Sequence, residues 1–239
     1  MRAFVDLHCH TSASFDCLAR PESVVRAAAT RGITHLAITD HDTIEGALLA
    51  RDAAPEGLTV IVGEEVKTAD GDLIALFLER AVDPGRPAAE TIAEVRAQGG
   101  LVGIPHPFDK YRGSMLKDPG LEAIGGLVDW VEAHNARVVG GTGNERAAAF
   151  ARELGLPGVA VSDAHSALEV GVAYTVLEGD PSTPEGLLAA LATLELVRGR
   201  ATYFVRLWTP VAKGIQRIRG NGRRTSGIAD PRGPAGGAG

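Results

Sequence analysis

The sequence predicts an α/β fold whose mostly parallel sheet is closed into a barrel or doubly wound. Three observations point there. Seven short apolar runs punctuate the first 165 residues. They are rich in Val, Ile and Leu with little polar alternation, the pattern of strands buried on both faces. Helical patterns separate most of them, which is how parallel strands are connected.

The runs fall at 3–7, 35–39, 59–66, 73–78, 101–104, 127–133 and 158–161. The first helix is expected over 21–30, with Pro21 in the first turn and Arg31-Gly32 as the stop. A second follows over 43–53. A third, over 87–98, ends at Gly99-Gly100, and a fourth, over 144–154, ends at Gly155 with Pro157 beyond. Thr183-Pro184-Glu185 opens a fifth that reaches Leu194. Between the third and fourth runs, Asp70-Gly71 permits a hairpin in place of a crossover.

The chain has 239 residues, 45% of them hydrophobic, enough to bury one substantial core. A formal charge of -6 argues against general polyanion binding, so no stable duplex DNA binding is expected. Cys9 and Cys17 are too few for a disulfide framework, which fits a reducing compartment. The start, MRAFVDLHCH, lacks an apolar signal core, and no apolar run is long enough to span a bilayer. The expectation is a cytoplasmic protein with no membrane contact.

Composition shifts after about residue 205. Residues 212–224 carry Lys213, Arg217, Arg219, Arg223 and Arg224 with no acid, and 231–239 are Gly, Pro and Ala with one Arg. The expected division is a barrel over 1–205 and, over 206–239, a basic and then Gly/Pro-rich extension, solvated and partly disordered. An RNA or partner contact is the alternative use of its charge.

The histidines carry the most information. His8, His10, His41, His106, His134 and His165 stand at or just beyond the ends of expected strands. Parallel α/β folds place their functional groups at that rim. His8 and His10, two apart on an extended chain, project to one side and can reach one metal ion, with Cys9 pointing the other way. Thr39-Asp40-His41-Asp42 follows the second run. Gly63-Glu64-Glu65 ends the third, where a carboxylate can bridge two cations, one glutamate facing inward and its neighbour outward. Pro105 and Pro107 fix the backbone around His106. Glu132-Ala133-His134-Asn135 follows the sixth run and Ser162-Asp163-Ala164-His165 the seventh. Taken singly these have ordinary readings: Asp42 or Thr43 as a helix cap, His106 as a turn residue. Together they offer more donors than one metal uses, which argues for two or three ions. His35 begins a strand and is expected to be structural.

Such a site suits hydrolysis, because divalent cations lower the pKa of a bridging water and neutralise phosphate oxygens. Nothing indicates a covalent nucleophile. Ser162 lies outside a Gly-x-Ser-x-Gly elbow, and no Walker loop or GxGxxG follows a strand.

The segments DLHCHTSASFD, ITDHDT, GEEV, IPHPFD, EAHNAR and SDAH, in that order from Val5 to His165, resemble the polymerase and histidinol phosphatase (PHP) superfamily of metal-dependent phosphoesterases. The resemblance implies a distorted (β/α)7 TIM-like barrel with a trinuclear cleft at the strand C-termini. His8, His10, Glu65 and Asp163 would hold one ion. Glu65 would bridge to a second, shared with His106 and His134. His41, His165 and Asp16 would hold the third. Many relatives have histidine where Asp16 stands and others have aspartate; the hard carboxylate of Asp16 keeps the third site and tilts preference toward Mn²⁺ or Fe²⁺, with Zn²⁺ also able to serve. Asp40 or His165 would manage protons, and Lys110, Arg112 or Arg137 would bind a substrate phosphate. The implied substrate is a small phosphorylated molecule, a nucleotide or short oligonucleotide included. Two alternatives remain. An amidohydrolase also has His-x-His after its first strand but wants a bridging lysine, whereas here Glu65 stands in that register and Lys67 two residues on. The other is a non-catalytic, metal-stabilised binding module.

Overall fold

The computed structural model describes residues 1–109, 124–138 and 142–223, and of 203–207 the backbone alone. The elements run β1 (Arg2–Asp6), α1 (Pro21–Thr30), β2 (His35–Ile38), α2 (Glu45–Asp52), β3 (Thr59–Lys67), β4 (Asp72–Leu76), α3 (Ala88–Ala97), β5 (Leu101–Ile104), β6 (Trp130–Asn135), α4 (Gly143–Glu153), β7 (Gly158–Val161), β8 (Tyr174–Glu178), α5 (Pro184–Ala190), β9 (Glu195–Val197) and α6 (Tyr203–Ile218).

The strands form one sheet in the order β7-β6-β5-β4-β3-β2-β1-β8-β9. β1, β2 and β3 are mutually parallel, as are β5, β6 and β7. β4 runs antiparallel to both its neighbours, so the hairpin permitted by Asp70-Gly71 is the connection that forms. Gly71 takes a φ of 149°, and Thr68 N–H donates to Gly71 O at 2.9 Å.

The sheet curls until its ends meet. Past the strand ends, Cys9 bridges Ala164 in parallel. Asp163 N–H donates to His8 O and His10 N–H to Ala164 O, both at 2.9 Å. Along the strands themselves β8 pairs antiparallel with β1, and the Thr175 hydroxyl lies 2.9 Å from Ala160 N and 3.0 Å from Ala160 O, stitching β8 to β7. The result is a nearly closed, distorted barrel, as expected.

Alternation along each strand makes two cores. Inside the barrel, Val5, Ala37, Ile61, Ile74, Leu101, Val159 and Leu177 pack with Leu187 and Leu191, which plug one end. Outside, Leu36, Ile38, Val62, Leu73, Val102 and Val131 pack against Val25 and Ala28 of α1, Ala47 of α2 and Ile92 and Val95 of α3. Both faces are covered, which is why the strands read as continuous apolar runs.

Some boundaries differ from expectation. β6 begins at Trp130, not at 127, and so contains His134 and Asn135. β8 and β9, short and partly polar, lack the apolar run that marks the others. The basic stretch is helical to Ile218, with Ala212 and Gln216 buried. The Gly/Pro-rich end, 231–239, lies outside the described residues. Among the described residues no helix is long and apolar enough to cross a membrane.

Gly103 shows how tightly the interior is filled. It shares the inner face of β5 with Leu101, and a Cβ there would fall inside the indole of fully buried Trp130. Overpacking of this kind costs about 1–3 kcal/mol. Gly103→Ala is therefore expected to lower unfolding stability by that amount in a urea titration followed by tryptophan fluorescence. A midpoint equal to wild type would show that Trp130 moves aside freely.

Candidate metal centre

Three parallel strands on one side of β4 and three on the other point the same way, and their C-terminal rim gathers the polar residues. His8 and His10 follow β1, His41 follows β2, Glu65 lies near the end of β3, His106 follows β5, Glu132 lies on β6, and Asp163 and His165 follow β7. β4 runs the other way and supplies none of them. On β3 the strand period turns Glu65 into the cleft and Glu64 outward, where Glu64 Oε2 accepts Val82 N–H at 2.9 Å. Outward burial pushes the Glu64 carboxyl up to about 8.

Four donor atoms converge at the centre: His8 Nε2, His10 Nε2, Glu65 Oε2 and Asp163 Oδ1. The two imidazole nitrogens are 2.9 Å apart. His8 lies 3.2 Å from Glu65 and 3.7 Å from Asp163, and His10 lies 3.4 Å and 3.5 Å from the same oxygens. Donors about 2.1 Å from a tetrahedral ion are about 3.4 Å from one another, so this set has the size of a coordination shell. The second oxygen of Glu65, Oε1, faces His106 Nε2 at 3.3 Å. Asp16 Oδ2 stands 3.5 Å from His41 Nε2 and 3.3 Å from His165 Nε2, while His41 Nδ1 lies 3.3 Å from Glu65 Oε2. His8, His10, His41, His106, His165, Glu65 and Asp163 all belong to groups able to hold a metal ion.

The charge balance asks for cations. Burial opposes charge on His8, yet Asp163, Glu132 and Glu65 hold it well above the usual imidazole value. Burial opposes it on His10 too, but Asp163 and Glu65 raise that ring to about 9. Both Nε2 atoms cannot carry protons at 2.9 Å, so a shared cation satisfies the pair better than protons do. Burial would raise Glu65 and Asp16, but the surrounding imidazoles hold both well below the carboxylate range. His165 goes the other way: burial and the Arg137 charge push it down to about 3, leaving it neutral. Asp16 Oδ1 and His106 Nδ1 are buried with no hydrogen-bond partner among the described residues, which fits donors meant for an ion.

A surrounding layer orients the donors. Glu132 Oε1 lies 2.6 Å from His8 Nδ1, and its Oε2 accepts His106 N–H at 2.9 Å and Asn135 Nδ2–H at 2.8 Å. Asn135 also donates to Asp163 Oδ2 at 2.9 Å, leaving Oδ1 toward the imidazoles. His165 Nδ1 donates to Asp163 O at 2.9 Å, which turns its Nε2 to Asp16. Asp42, His106 and Asp163 hold φ of 56°, 29° and 52°, a region costing non-glycine residues about 1–3 kcal/mol each. Sequence reasoning assigned no role to Glu132, Asn135 or Glu169. Glu132 and Asn135 were signalled only by their place in the EAHNAR segment, and Glu169 lies outside every motif segment.

Not every candidate joins the cluster. A β-bulge between Glu132 and His134 lets Glu132 and Asn135 both reach inward and turns His134 outward. His134 Nε2 donates to Gly199 O at 2.8 Å, and its Nδ1 lies 3.3 Å from Asn144 Nδ2. The structure thus does not bring it to the second-ion position. Asp40 is buried, with Thr11 N–H on one oxygen and the Thr11 hydroxyl on the other, both at 2.6 Å, so it anchors the loop after β1. Arg137 is 7% exposed, pairs with Glu169 at 3.2 Å and donates to the Thr209 hydroxyl at 2.6 Å. Glu169 in turn accepts His165 N–H at 3.2 Å, so Arg137 braces that loop and is not turned to a ligand. Lys110 and Arg112 lie outside the described residues. Lys67 pairs with Asp72 at 3.6 Å, away from the bridging place an amidohydrolase would need. Cys9 packs in the outer core, and His35 bonds Ser182 at 3.0 Å at the far rim.

Comparison with known proteins agrees with this geometry. The PHP domain family matches residues 6–112, and the PHP-associated family matches 141–195. An uncharacterised protein of Methanocaldococcus jannaschii is 30% identical over 215 residues, 85% of this chain and 86% of that protein. A 5'-3' exoribonuclease of Haemophilus influenzae is 45% identical over 64 residues, 26% of this chain and 23% of the exoribonuclease. Among solved structures, a two-domain protein from Bacteroides vulgatus containing a predicted PHP-like metal-dependent phosphoesterase superposes with a TM-score of 0.69 at 19% identity. That match covers 83% of this chain and 65% of the two-domain protein, and at such identity it speaks for the fold. Family models along both halves, and a relative matched over most of both lengths, make this chain a member of the PHP family.

Proposed function

We propose that the protein hydrolyses phosphate esters of small molecules, nucleotides or short oligonucleotides among them, using two or three divalent ions of Mn, Fe or Zn. The observation that carries the proposal is the convergence of five imidazoles and three carboxylates on one barrel rim. His8, His10, Glu65 and Asp163 would hold the first ion. Glu65 would share its second oxygen with another beside His106. Asp16, His41 and His165 would hold a third. When bound, such ions act as Lewis acids that bring a coordinated water toward neutral pKa and offset phosphate charge.

The chain's own residues have narrower tasks in this scheme. Glu132 fixes the tautomer and angle of His8, and Asn135 fixes Asp163. His165, neutral at physiological pH, serves as a donor and not as a proton source. Asp40, already satisfied by Thr11, holds the loop that carries Asp16. The substrate phosphate falls to Lys110 and Arg112. Membership of the PHP family and the phosphoesterase likeness support the reaction class.

The test is metal content and turnover of protein purified without chelator, with Mn²⁺ added, on a monoester, a diester, nucleoside monophosphates, nucleoside bisphosphates and short RNA. Two or three ions per chain are expected, with turnover lost by about a hundredfold or more in His8→Ala and Asp163→Ala. Full occupancy with no ester cleaved would overturn the phosphoesterase reading. Glu132→Gln keeps the shape but loses the anion, so it should weaken activity or metal affinity about 10–100-fold while the fold persists by circular dichroism.

Proton release gives an independent check. The His8–His10 pair is raised, His10 to about 9, so it holds positive charge at pH 7 in metal-free protein. Metal must displace that proton. Loading at pH 7 should therefore release protons into weak buffer, and metal affinity should rise with pH and level off above about 9. Affinity independent of pH between 6 and 9 would contradict the assignment of this pair as ligands.

A further inference from the structure

We propose that the C-terminal helix is a working part of the third-ion site, with Gln216 and Arg223 as positioning residues. They hold the two loops that present Asp16 and His41. This rests on the ligand assignment proposed above and extends it to a segment that carries no donor atom itself.

Asp16 sits on the irregular loop between β1 and α1. That loop makes few hydrogen bonds of its own, among them Ser12 N–H to Ala19 O at 2.7 Å and Ser14 N–H to Thr11 O at 3.0 Å. Its carbonyls need outside donors, because buried backbone oxygens are costly to leave unmet. One side chain meets three of them. Gln216 Nε2 lies 2.8 Å from Ser12 O, 3.0 Å from Ser14 O and 2.8 Å from Cys17 O, and the residue is 2% exposed. Its two N–H groups are thus shared among carbonyls on both sides of Asp16. Asn221 Nδ2 adds a bond to Ala13 O at 3.1 Å.

The same segment holds the other loop. Asp42, next to His41, keeps its φ of 56° while Oδ1 accepts Lys67 N–H at 2.8 Å. Arg223 Nε donates to Asp42 Oδ2 at 3.1 Å and Nη2 to Asp72 Oδ1 at 2.9 Å. The two holds are joined through Ser14. Its carbonyl accepts from Gln216, while its hydroxyl accepts His41 N–H at 3.0 Å and lies 3.1 Å from His10 Nδ1. Phe15 completes the link, with its ring 4.9 Å from the His41 ring and 5.6 Å from the Arg223 guanidinium. Asp16 and His41 therefore face each other at 3.5 Å across loops pinned by one helix and its tail.

The experiment is a Mn²⁺ titration of stripped, full-length protein, with free ion followed by electron paramagnetic resonance and total ion per chain by elemental analysis. Wild type is compared with Gln216→Ala, Arg223→Ala and, to mark the third-site step, His41→Ala. In both positioning variants the step lost in His41→Ala should weaken about 10–100-fold, while the remaining steps keep their wild-type constants. If Gln216→Ala fails to fold, Arg223→Ala, on a partly exposed side chain, decides alone. Wild-type constants at every step in the variants that fold, or an equal weakening of all steps, would overturn the proposal. A wild type that binds no Mn²⁺ would overturn the metal reading itself, and this inference with it.

Discussion

The structure depends on one seam. Beyond the ends of β1 and β7 the chain zips Asp163 N–H to His8 O and His10 N–H to Ala164 O, each at 2.9 Å. These two bonds close the barrel between residues more than 150 positions apart, and three of the four residues that make them, His8, His10 and Asp163, are ones whose side chains converge. Closure and donor geometry are therefore one constraint. A shift of one residue in that register would turn every donor on one strand to the opposite face.

Around the seam the electrostatics oppose the packing. A cleft that buries Glu65, Asp163, Asp16 and Glu132 among imidazoles is costly unless each charge is met. Glu132 meets three donors at once, and Asn135 carries that order to Asp163. The β-bulge in β6 makes this possible, since it brings residues 132 and 135 to the same face. Arg137 and Glu169 form a second brace, behind His165.

Much of this was legible in the sequence because strand period and strand ends are local properties. The two-residue spacings of His8 with His10 and of Asp163 with His165 follow from alternation, as does the opposition of Glu64 and Glu65, while the choice of Glu65 as the inward one came from the family resemblance. The hairpin at Asp70-Gly71 was readable from its turn residues. What stayed hidden was set by tertiary context. The outward turn of His134 comes from a bulge that no residue in the segment marks. Arg137 pairs with Glu169, 32 positions on, so its charge looked available. Gln216 belongs to no motif, and the composition around it, basic and free of acid, read as a solvated extension.

The pairing of β1 also bears on how the chain is made. This strand is made before every partner it pairs with, yet those partners are spread widely along the chain. β2 follows soon, whereas the Asp163–Ala164 seam, β8 and Gln216 come more than 150 residues later. Until then an apolar strand waits with one edge unpaired, a state prone to association with other chains. His8 and His10 wait with it, lacking Asp163. An ion held by all of these donors would find no complete site on a half-made chain, so its loading would follow closure of the barrel.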